Sequence, residues 1–236
     1  MMLSARDITI WLSGRKILDN IAFEIDKGEC VGLIGTSGSG KTTLINAMLG
    51  FHHIDRGTLK LNGKDITNDQ NELRKISNMA TQHGAFYPKL TVKENFVYFA
   101  ELYGMQPENA LARMSLITKF LEISQYLEFR AESLSGGTQK RFEIGLAIIN
   151  RPKILFLDEP ASGLDVILRN EIYDIVRRIN RMGTTVILAS HDLNILERYV
   201  TSIIIMDKGV ISRKVGINEV KDLEKFFKDY KGGLLK

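Results

Sequence analysis

The chain has 236 residues, 44% hydrophobic content and a net charge of +4, which fits a globular protein with one good core. Its apolar stretches are much shorter than the about 20 residues of a membrane-spanning helix. Basic residues alternate with acidic ones, which disfavours a nucleic-acid-binding stripe, and the single Cys30 excludes an internal disulfide and a multi-cysteine metal site. We expect a cytoplasmic protein that spans no membrane itself.

Short apolar strands alternate with helical patterns along most of the chain, which predicts an α/β fold with a mostly parallel sheet covered by helices. The first 30 residues and Thr58–Asn62 indicate an N-terminal antiparallel β subdomain. We predict buried strands at Val31–Ile34, Ile154–Asp158, Thr185–Ala189 and Ser202–Met206, and helices at Lys41–Leu49 and between Leu168 and Ile179.

Residues from about 92 to 130 have an almost purely helical pattern, which predicts a helical subdomain inserted into the α/β core. An amphipathic helix is predicted from about 217 to 231. Docking of this helix on the core is favoured, and an interaction with a membrane surface stays open as the alternative. We therefore expect one domain over residues 1–236.

A glycine-rich loop follows the first core strand and precedes a helix. It runs from Gly35 to Thr42 and fits the phosphate-binding pattern G-x-x-x-x-G-K-S/T. Glycines let backbone amides surround phosphate oxygens, and the N-terminus of the helix favours an anion. Lys41 would contact the β- and γ-phosphates and Thr42 would bind Mg²⁺. The loop therefore predicts binding of a nucleotide.

Two other apolar strands are also followed by residues that can take part in catalysis or metal binding. Asp158 and Glu159 end the strand Ile154–Asp158, where two adjacent carboxylates are costly unless a cation or a substrate uses them. Asp158 would bind Mg²⁺ and Glu159 would polarise the water that attacks the γ-phosphate. His191 follows Thr185–Ala189, and ligands of open α/β sheets bind at such strand ends. His191 would contact the γ-phosphate and orient the water.

With these motifs in place, the chain resembles the ATP-binding-cassette (ABC) ATPase family over nearly its full length. Gly35–Thr43 is similar to the phosphate loop of that family, Ile154–Glu159 to its second nucleotide motif and Leu134–Arg141 (LSGGTQKR) to its signature. Ser162–Asp165 is similar to the D-loop, His191 to the switch histidine, and Gln82 lies where the family has its Q-loop glutamine. Six motifs occur in the order that the family has.

The resemblance implies a P-loop NTPase core, the cofactors ATP and Mg²⁺, and a role for each matching residue. Glu159, His191 and Gln82 would be catalytic, and Thr42, Gln82 and Asp158 would bind the metal. The residues implied in nucleotide binding are Gly35, Thr36, Ser37, Gly38, Ser39, Gly40, Lys41, Thr42, Thr43, Ser135, Gly136, Gly137 and Asp165.

The signature residues Ser135–Gly137 would act on the nucleotide of a second chain in a head-to-tail dimer. Ser135 and the glycines would start a helix over Thr138–Asn150, which offers amides to an anion. The partners implied are an integral membrane permease, docked at Gly84–Leu90, and a second copy or a related ATPase. The chain would hydrolyse ATP on the cytoplasmic face of the membrane and power transport, with export favoured by Lys140–Glu143 and the short tail.

Some points stay open at the level of the sequence. Thr138 stands where the family signature usually has glutamine, and either Trp11 or Leu12 lies near the place of the aromatic residue that stacks on adenine. A chromosome-binding machine with the same ATPase head would need a long coiled coil or zinc-binding cysteines, which are absent from this sequence. A cassette that serves no transporter remains an alternative, and co-purification with a membrane protein would distinguish the two.

Overall fold

The computed structural model describes residues 1–81 and 85–231, except for the side chains of residues 212 and 229–231. The chain divides into two compact units. Unit 1 consists of Met1–Lys75 and Asn180–Lys236, and unit 2 consists of Ile76–Ile179. In the described part of the chain, no helix is long and apolar enough to cross a membrane.

The strands and helices are numbered in chain order. The strands are β1 (Leu3–Leu12), β2 (Arg15–Ile25), β3 (Cys30–Ile34), β4 (Arg56–Leu61), β5 (Lys64–Asp65), β6 (Ser77–Ala80), β7 (Ile154–Asp158), β8 (Thr185–Ala189), β9 (Ser202–Asp207) and β10 (Val210–Gly216). The helices are α1 (Lys41–Met48), α2 (Asn71–Ile76), α3 (Val92–Leu102), α4 (Pro107–Phe120), α5 (Gly136–Ala147), α6 (Val166–Arg181), α7 (Leu193–Tyr199) and α8 (Leu223–Lys231).

Unit 1 contains an antiparallel sheet with the strand order β2-β1-β4-β5. Strand β1 pairs with β2 from Leu3↔Ile25 to Leu12↔Arg15, and with β4 from Leu3↔Leu61 onward. Most of its apolar side chains are buried, as the alternation of apolar and polar residues requires. This is the antiparallel subdomain that the sequence predicts.

Unit 1 also contains the strands that carry the phosphate loop. Strand β3 pairs in parallel with β8 on one side and β9 on the other, and β10 pairs antiparallel with β9. All residues of β3 and β8 are buried, which is typical of strands covered on both faces. A Cβ at Gly32 would lie only 3.2 Å from Leu196 of α7, so this glycine lets α7 approach the sheet closely.

Unit 2 contains the parallel pair β6–β7, the helices α3 to α5 and most of α6. Strand β6 pairs with β7 from Ser77↔Ile154 to Ala80↔Leu157. The ring of Phe142 in α5 packs against Phe86 and Phe96, with ring centres 5.6 and 5.5 Å away. A Cβ at Gly145 would lie 2.8 Å from Leu121, so α5 packs tightly against the helices of the predicted insertion.

Several predicted boundaries need correction. The helix predicted at Thr138–Asn150 begins earlier, at Gly136, and ends at Ala147, because its two glycines adopt helical backbone angles. The tail helix begins at Leu223 instead of about residue 217, where the chain forms a short turn over Ile217–Glu219. Strand β10 is absent from the prediction, which ended with Ser202–Met206.

Candidate functional site

The phosphate loop of unit 1 has a backbone that glycine alone accepts readily. Gly38 has a φ of 77° and Gly40 a φ of 102°, and Gly40 directly precedes α1. A Cβ at Gly35 would lie 2.4 Å from the carbonyl oxygen of Met206. The Ser39 amide donates to the Thr36 carbonyl over 3.1 Å, and the Gly209 amide donates to the Ser39 carbonyl over 3.1 Å. The loop is therefore a tight turn held against the end of β9.

Lys41 lies at the first position of α1, and its ammonium group contacts the loop. Its Nζ donates to the carbonyl oxygens of Gly35 and Thr36, at 2.9 and 3.2 Å. The loop thus combines one fixed positive charge with the N-terminus of α1, and both favour a bound anion. Thr42 is exposed in the same turn, and its hydroxyl oxygen is the kind of ligand that Mg²⁺ prefers.

His191 lies near the same end of the sheet in unit 1. It follows β8, which pairs with β3 as far as Leu33↔Ala189, and the Ser190 amide donates to the carbonyl of Leu33 over 3.3 Å. Because β3 and β8 are parallel neighbours, His191 and the phosphate loop both follow the carboxyl ends of adjacent strands. His191 is exposed there. The next residue, Asp192, caps α7 through a bond from the Ile195 amide.

In unit 2 the two predicted acidic residues end β7. Asp158 is 9% exposed and Glu159 is half-buried. Glu159 has a φ of 52°, a left-handed conformation that is uncommon for residues with a side chain. Gln82 comes two residues after β6, the parallel neighbour of β7, but it lies outside the described residues. The predicted roles of Gln82 in catalysis and metal binding therefore remain predictions.

The signature residues form the N-terminus of α5. Ser135 occupies the cap position with extended angles (φ −63°, ψ 154°), and Gly136 and Gly137 form the first turn. The hydroxyl of Ser135 lies 2.9 Å from that of Thr138. Thr138 therefore pairs with the cap residue from the place where the family signature usually has glutamine. Ser135 and Gly136 are exposed, so the turn presents a hydroxyl and amides at the positive end of a helix.

Asp165 has a structural role besides the predicted one. Its Oδ1 accepts bonds from the amides of Ile167 and Leu168, at 2.9 and 3.0 Å, so it caps the N-terminus of α6. A capping aspartate directly before a helical pattern can be recognised in a sequence, although the resemblance to the family implied only a role of Asp165 at the nucleotide.

The two candidates for the adenine platform lie at the end of β1. Trp11 is 49% exposed, its amide donates to Asp55 over 2.7 Å, and the Nζ of Lys16 lies 5.8 Å from its ring centre. Leu12 pairs with Arg15 in the hairpin between β1 and β2. Neither residue has a contact that selects it, so the platform remains open. His52 and His53 lie in the loop after α1, and His53 is exposed.

The donor set in each unit suits a magnesium nucleotide. Mg²⁺ prefers oxygen ligands and is usually bound by one or two protein oxygens together with phosphates. The Thr42 hydroxyl and the Asp158 carboxylate are groups of that kind. Across residues 1–81 and 85–231 no cluster of three or more His, Cys, Asp or Glu could hold a metal by itself.

Comparison with known proteins identifies the family. The family model described as ABC transporter matches residues 18–162. The linearmycin resistance ATP-binding protein LnrL of Bacillus subtilis is 32% identical over 88% of this chain, and a Nod factor export ATP-binding protein I of Burkholderia thailandensis is 30% identical over 82%. The spermidine/putrescine import ATP-binding protein PotA of Marinobacter nauticus is 32% identical over 90%. The chain spans 67%, 64% and 57% of the lengths of these relatives.

Solved structures agree with the sequence relatives. A crystal structure of the ADP conformation of an ATP-binding cassette superposes with a TM-score of 0.83 and 29% identity, over 98% of both chains. The ATP-binding subunit of another ABC transporter has a TM-score of 0.86 at 23% identity, over 97% of this chain and 99% of that chain, which shows the shared fold. From its family model and its relatives, the chain belongs to the ABC transporter family, as an ATP-binding subunit.

Proposed function

We propose that this chain hydrolyses Mg-ATP as one of two ATPase subunits that power a separate membrane permease. The observation that carries the proposal is that one chain has two glycine-containing helix N-termini of the kind that bind anions. One is the phosphate loop with Lys41 before α1, and the other is the signature turn Ser135–Gly137 before α5. We infer that the first binds the chain's own ATP and that the second acts on the ATP of a partner. Residues 1–236 would then act as one ATPase domain.

The residues of the phosphate loop take the roles that their positions support. The amides of Gly35–Thr43 would bind phosphate oxygens, and Lys41 would neutralise charge on the β- and γ-phosphates. Thr42, Asp158 and Gln82 would hold Mg²⁺, which neutralises phosphate charge when it is bound. The ammonium of Lys41 is already fixed by two loop carbonyls, so little side-chain entropy would remain to be lost on binding.

Glu159 and His191 would act on the attacking water. A carboxylate directly after a buried strand can accept a proton or a hydrogen bond from that water, and an imidazole can hold the water and the γ-phosphate in position. The left-handed φ of Glu159 supports this role, since strained backbone is concentrated at functional sites. Gln82 would orient the same water or the metal.

The permease would dock on the tyrosine surface of unit 2, which we define as Tyr87, Tyr98, Leu102 and Tyr103. These side chains are 46%, 36%, 62% and 44% exposed. The rings of Tyr87 and Tyr98 meet edge to face with their hydroxyl groups 3.1 Å apart. Aromatic side chains with an exposed hydroxyl are enriched where proteins bind an amphipathic helix or another protein. The described part of the predicted segment Gly84–Leu90 contributes Tyr87.

The buried Asn95 holds this surface in place. Its Oδ1 accepts from the Tyr87 amide over 2.7 Å, and its Nδ2 donates to the carbonyls of Tyr87 and Thr91 at 3.0 and 2.9 Å. The loop is thus fixed to α3 before any partner binds, which lowers the entropic cost of docking. Beside it lies a small surface cavity of about 40 Å³, whose lining includes Thr81, Ala85, Phe99, Tyr103 and Glu143.

Replacing apolar surface by serine tests the docking. Tyr98→Ser with Leu102→Ser should abolish co-purification with an integral membrane protein while ATP hydrolysis by the isolated chain is kept. Leu116→Ser, which changes a 58% exposed leucine in the same unit outside the tyrosine surface, should leave co-purification intact. If the double variant still co-purifies with a membrane protein, the tyrosine surface is not the docking site. If the unaltered chain co-purifies with none, a cassette that serves no transporter is supported instead.

We propose export as the direction of transport. Two of the three relatives are named for resistance or export, and the third is named for import. Cells that produce the Glu159→Gln variant in place of the natural chain should become more sensitive to lipophilic antibiotics. Unchanged sensitivity, together with loss of uptake of a polyamine or another nutrient, would support import.

Two variants test the ATPase itself. Glu159→Gln should abolish turnover yet form a dimer in Mg-ATP, because nucleotide binding survives when water activation is lost. Lys41→Ala should weaken nucleotide binding, whereas Lys27→Ala, at an exposed lysine of the same unit, should not. Turnover and size-exclusion chromatography provide the measurements. Continued turnover by Glu159→Gln would contradict its catalytic role, and unchanged nucleotide affinity in Lys41→Ala would contradict the phosphate loop.

A further inference from the structure

Arg141 connects α5 to two other elements of unit 2. Its guanidinium group donates to the carbonyl of Leu121 at 2.9 Å and to Glu122 at 3.2 Å, both just after α4. It also donates to Glu171 of α6 at 2.8 Å. The side chain of Arg141 is only 17% exposed, and that of Glu171 is 42% exposed. Arg141 is therefore a largely buried cation whose acceptors lie 20 and 30 residues away in sequence.

The contact between α5 and α6 continues at Gly137. A Cβ at Gly137 would lie 3.1 Å from Leu168 of α6, and one at Gly136 would lie 3.6 Å from Leu164. Gly137 and Arg141 are four residues apart in α5, and Leu168 and Glu171 are three apart in α6, so each pair shares one helix face. We call these four residues the α5–α6 seam.

Glu122, which contacts Arg141, has a left-handed backbone conformation that supports a structural role for this contact. Glu122 has a φ of 59° at the end of α4, a position where glycine is the common residue. The Ile123 amide donates to the Thr118 carbonyl, which closes the helix in the usual left-handed turn. The chain therefore has a carboxylate where the backbone favours glycine, and that carboxylate contacts Arg141. Glu122 is 72% exposed, so solvent weakens its contribution compared with that of Glu171.

We propose that Arg141 is a positioning residue, which fixes the signature turn Ser135–Gly137 to the D-loop segment Ser162–Asp165 through the α5–α6 seam. The two segments would then be presented to a second chain as one rigid element. This inference rests on the proposed function, in which both segments act at the nucleotide of the partner. Arg141 itself contacts no nucleotide in this scheme, and its effect passes through the orientation of α5.

Arginine suits this position better than lysine. A guanidinium group donates several bonds in one plane, so it can reach the Leu121 carbonyl and Glu171 together. An ammonium group is a single point charge and cannot span both. Arg141→Lys should therefore keep the charge but retain only part of the contribution of Arg141 to the stability of the Mg-ATP dimer.

The test compares Arg141→Gln, Arg141→Lys and Glu171→Gln, each combined with Glu159→Gln. Lys93→Gln is the matched control, since Lys93 pairs with Glu128 in the same unit on an exposed surface. Three quantities are measured in full-length protein: the affinity of the monomer for Mg-ATP, the dissociation constant of the Mg-ATP dimer, and hydrogen–deuterium exchange of amides in α5 and α6. The mild change Glu171→Gln keeps the test valid if Arg141→Gln folds poorly.

We expect Arg141→Gln to weaken the dimer about tenfold, as loss of a charge-assisted hydrogen bond would do. Glu171→Gln should weaken it less, and Arg141→Gln combined with Glu171→Gln in the same Glu159→Gln parent should be no worse than Arg141→Gln, because both residues act through one contact. Exchange should rise in the first turns of α5 and α6, whereas nucleotide affinity should stay within about twofold, the scatter expected of independent sites. The Lys93→Gln control should match the parent in all three measurements.

Other results would overturn the proposal. Unchanged exchange in α5 and α6 would show that Arg141 does not hold the seam, and raised exchange with an unchanged dimer would show that the seam does not matter for association. A parallel loss of nucleotide affinity would indicate general destabilisation. If the Glu159→Gln parent forms no dimer in Mg-ATP, the proposed function fails, and the exchange data still decide whether Arg141 holds the seam.

Discussion

Glu159 combines a strained backbone with the carboxylate that we propose to be catalytic. Its φ of 52° costs a residue with a Cβ about 1–2 kcal/mol, and glycine would adopt the same angles without that cost. Under the proposed function, this is the position where the carboxylate is aimed at the attacking water. Stability and activity would then make opposite demands on this residue.

Glycine and alanine at position 159 should separate these demands. Both Glu159→Gly and Glu159→Ala remove the carboxylate and should abolish turnover, but the glycine variant should be the more stable by about 1 kcal/mol, because it relieves the left-handed conformation. Urea unfolding of the two variants gives the difference. Equal stability would mean that the backbone at 159 is not strained, and residual turnover in either variant would contradict the catalytic role.

Glu143 is a buried acid on α5. Its burial raises its pKa above the ordinary value of 4.5, although the Nζ of Lys140 lies 2.9 Å away and lowers it. Because the folded protein binds this proton more tightly than the unfolded chain does, Glu143 contributes stability below pH 4.5. That contribution is lost as the pH rises through the raised pKa.

Replacing Glu143 by glutamine should remove this pH dependence. The free energy of unfolding of Glu143→Gln, minus that of the natural chain, should increase as the pH rises from about 4.5 to 7, since glutamine stays neutral. Urea titrations at several pH values measure the difference, with the exposed Glu108→Gln as control. A difference that stays constant or falls with pH would show that burial does not dominate at Glu143.

At the scale of elements, the sequence predicted best what depends on local pattern. The strands Ile154–Asp158 and Thr185–Ala189 were predicted with the observed bounds, because continuous apolar runs between turn residues define buried strands. Strand β10 was missed. Its register with β9 shifts between Ile211 and Arg213, and such a shift interrupts the regular alternation from which strands are predicted. The seam partner of Arg141 lies 30 residues away, and no spacing rule reaches that far.

In the candidate site, too, only the features that follow from the local order of residues could be predicted from the sequence. The phosphate loop and the carboxylates at the end of β7 follow strands, so their positions could be predicted from the sequence order alone. The cap by Asp165 also has a local signal, because an aspartate directly before a helix accepts amide bonds. The contacts of Asn95 and Arg141 depend on tertiary packing instead.

The cap of α6 yields a prediction at this scale. Asp165→Ala should lower the free energy of unfolding by about 1 kcal/mol, whereas Asp165→Asn should keep it, because asparagine caps a helix about as well as aspartate. If Asp165 also serves the nucleotide, Asp165→Asn should lose turnover with unchanged stability. Chemical unfolding and ATPase assays distinguish the roles. Full turnover in Asp165→Asn would leave Asp165 only its structural role.

At the scale of the whole molecule, the chemical groups are divided between the two units. Unit 1 carries the phosphate loop and His191, and unit 2 carries Asp158, Glu159 and the signature turn. The signature turn has no function in the chain's own phosphate loop under our proposal. An isolated chain would therefore bind ATP but lack part of each active site, and nucleotide binding should be linked to association with a second copy.

This linkage predicts how the melting temperature should respond to protein concentration. A ligand at 100 times its Kd stabilises the folded chain by about 2.7 kcal/mol, whatever the protein concentration, whereas a dimer gains stability as the protein concentration rises. In Mg-ATP, the Glu159→Gln variant should therefore melt at a higher temperature in concentrated than in dilute solution. The same variant without nucleotide, and Glu159→Gln combined with Lys41→Ala, should melt at a temperature independent of protein concentration. A melting temperature that rises with Mg-ATP but not with protein concentration would mean that nucleotide binds to a monomer, and the signature turn would then need another function.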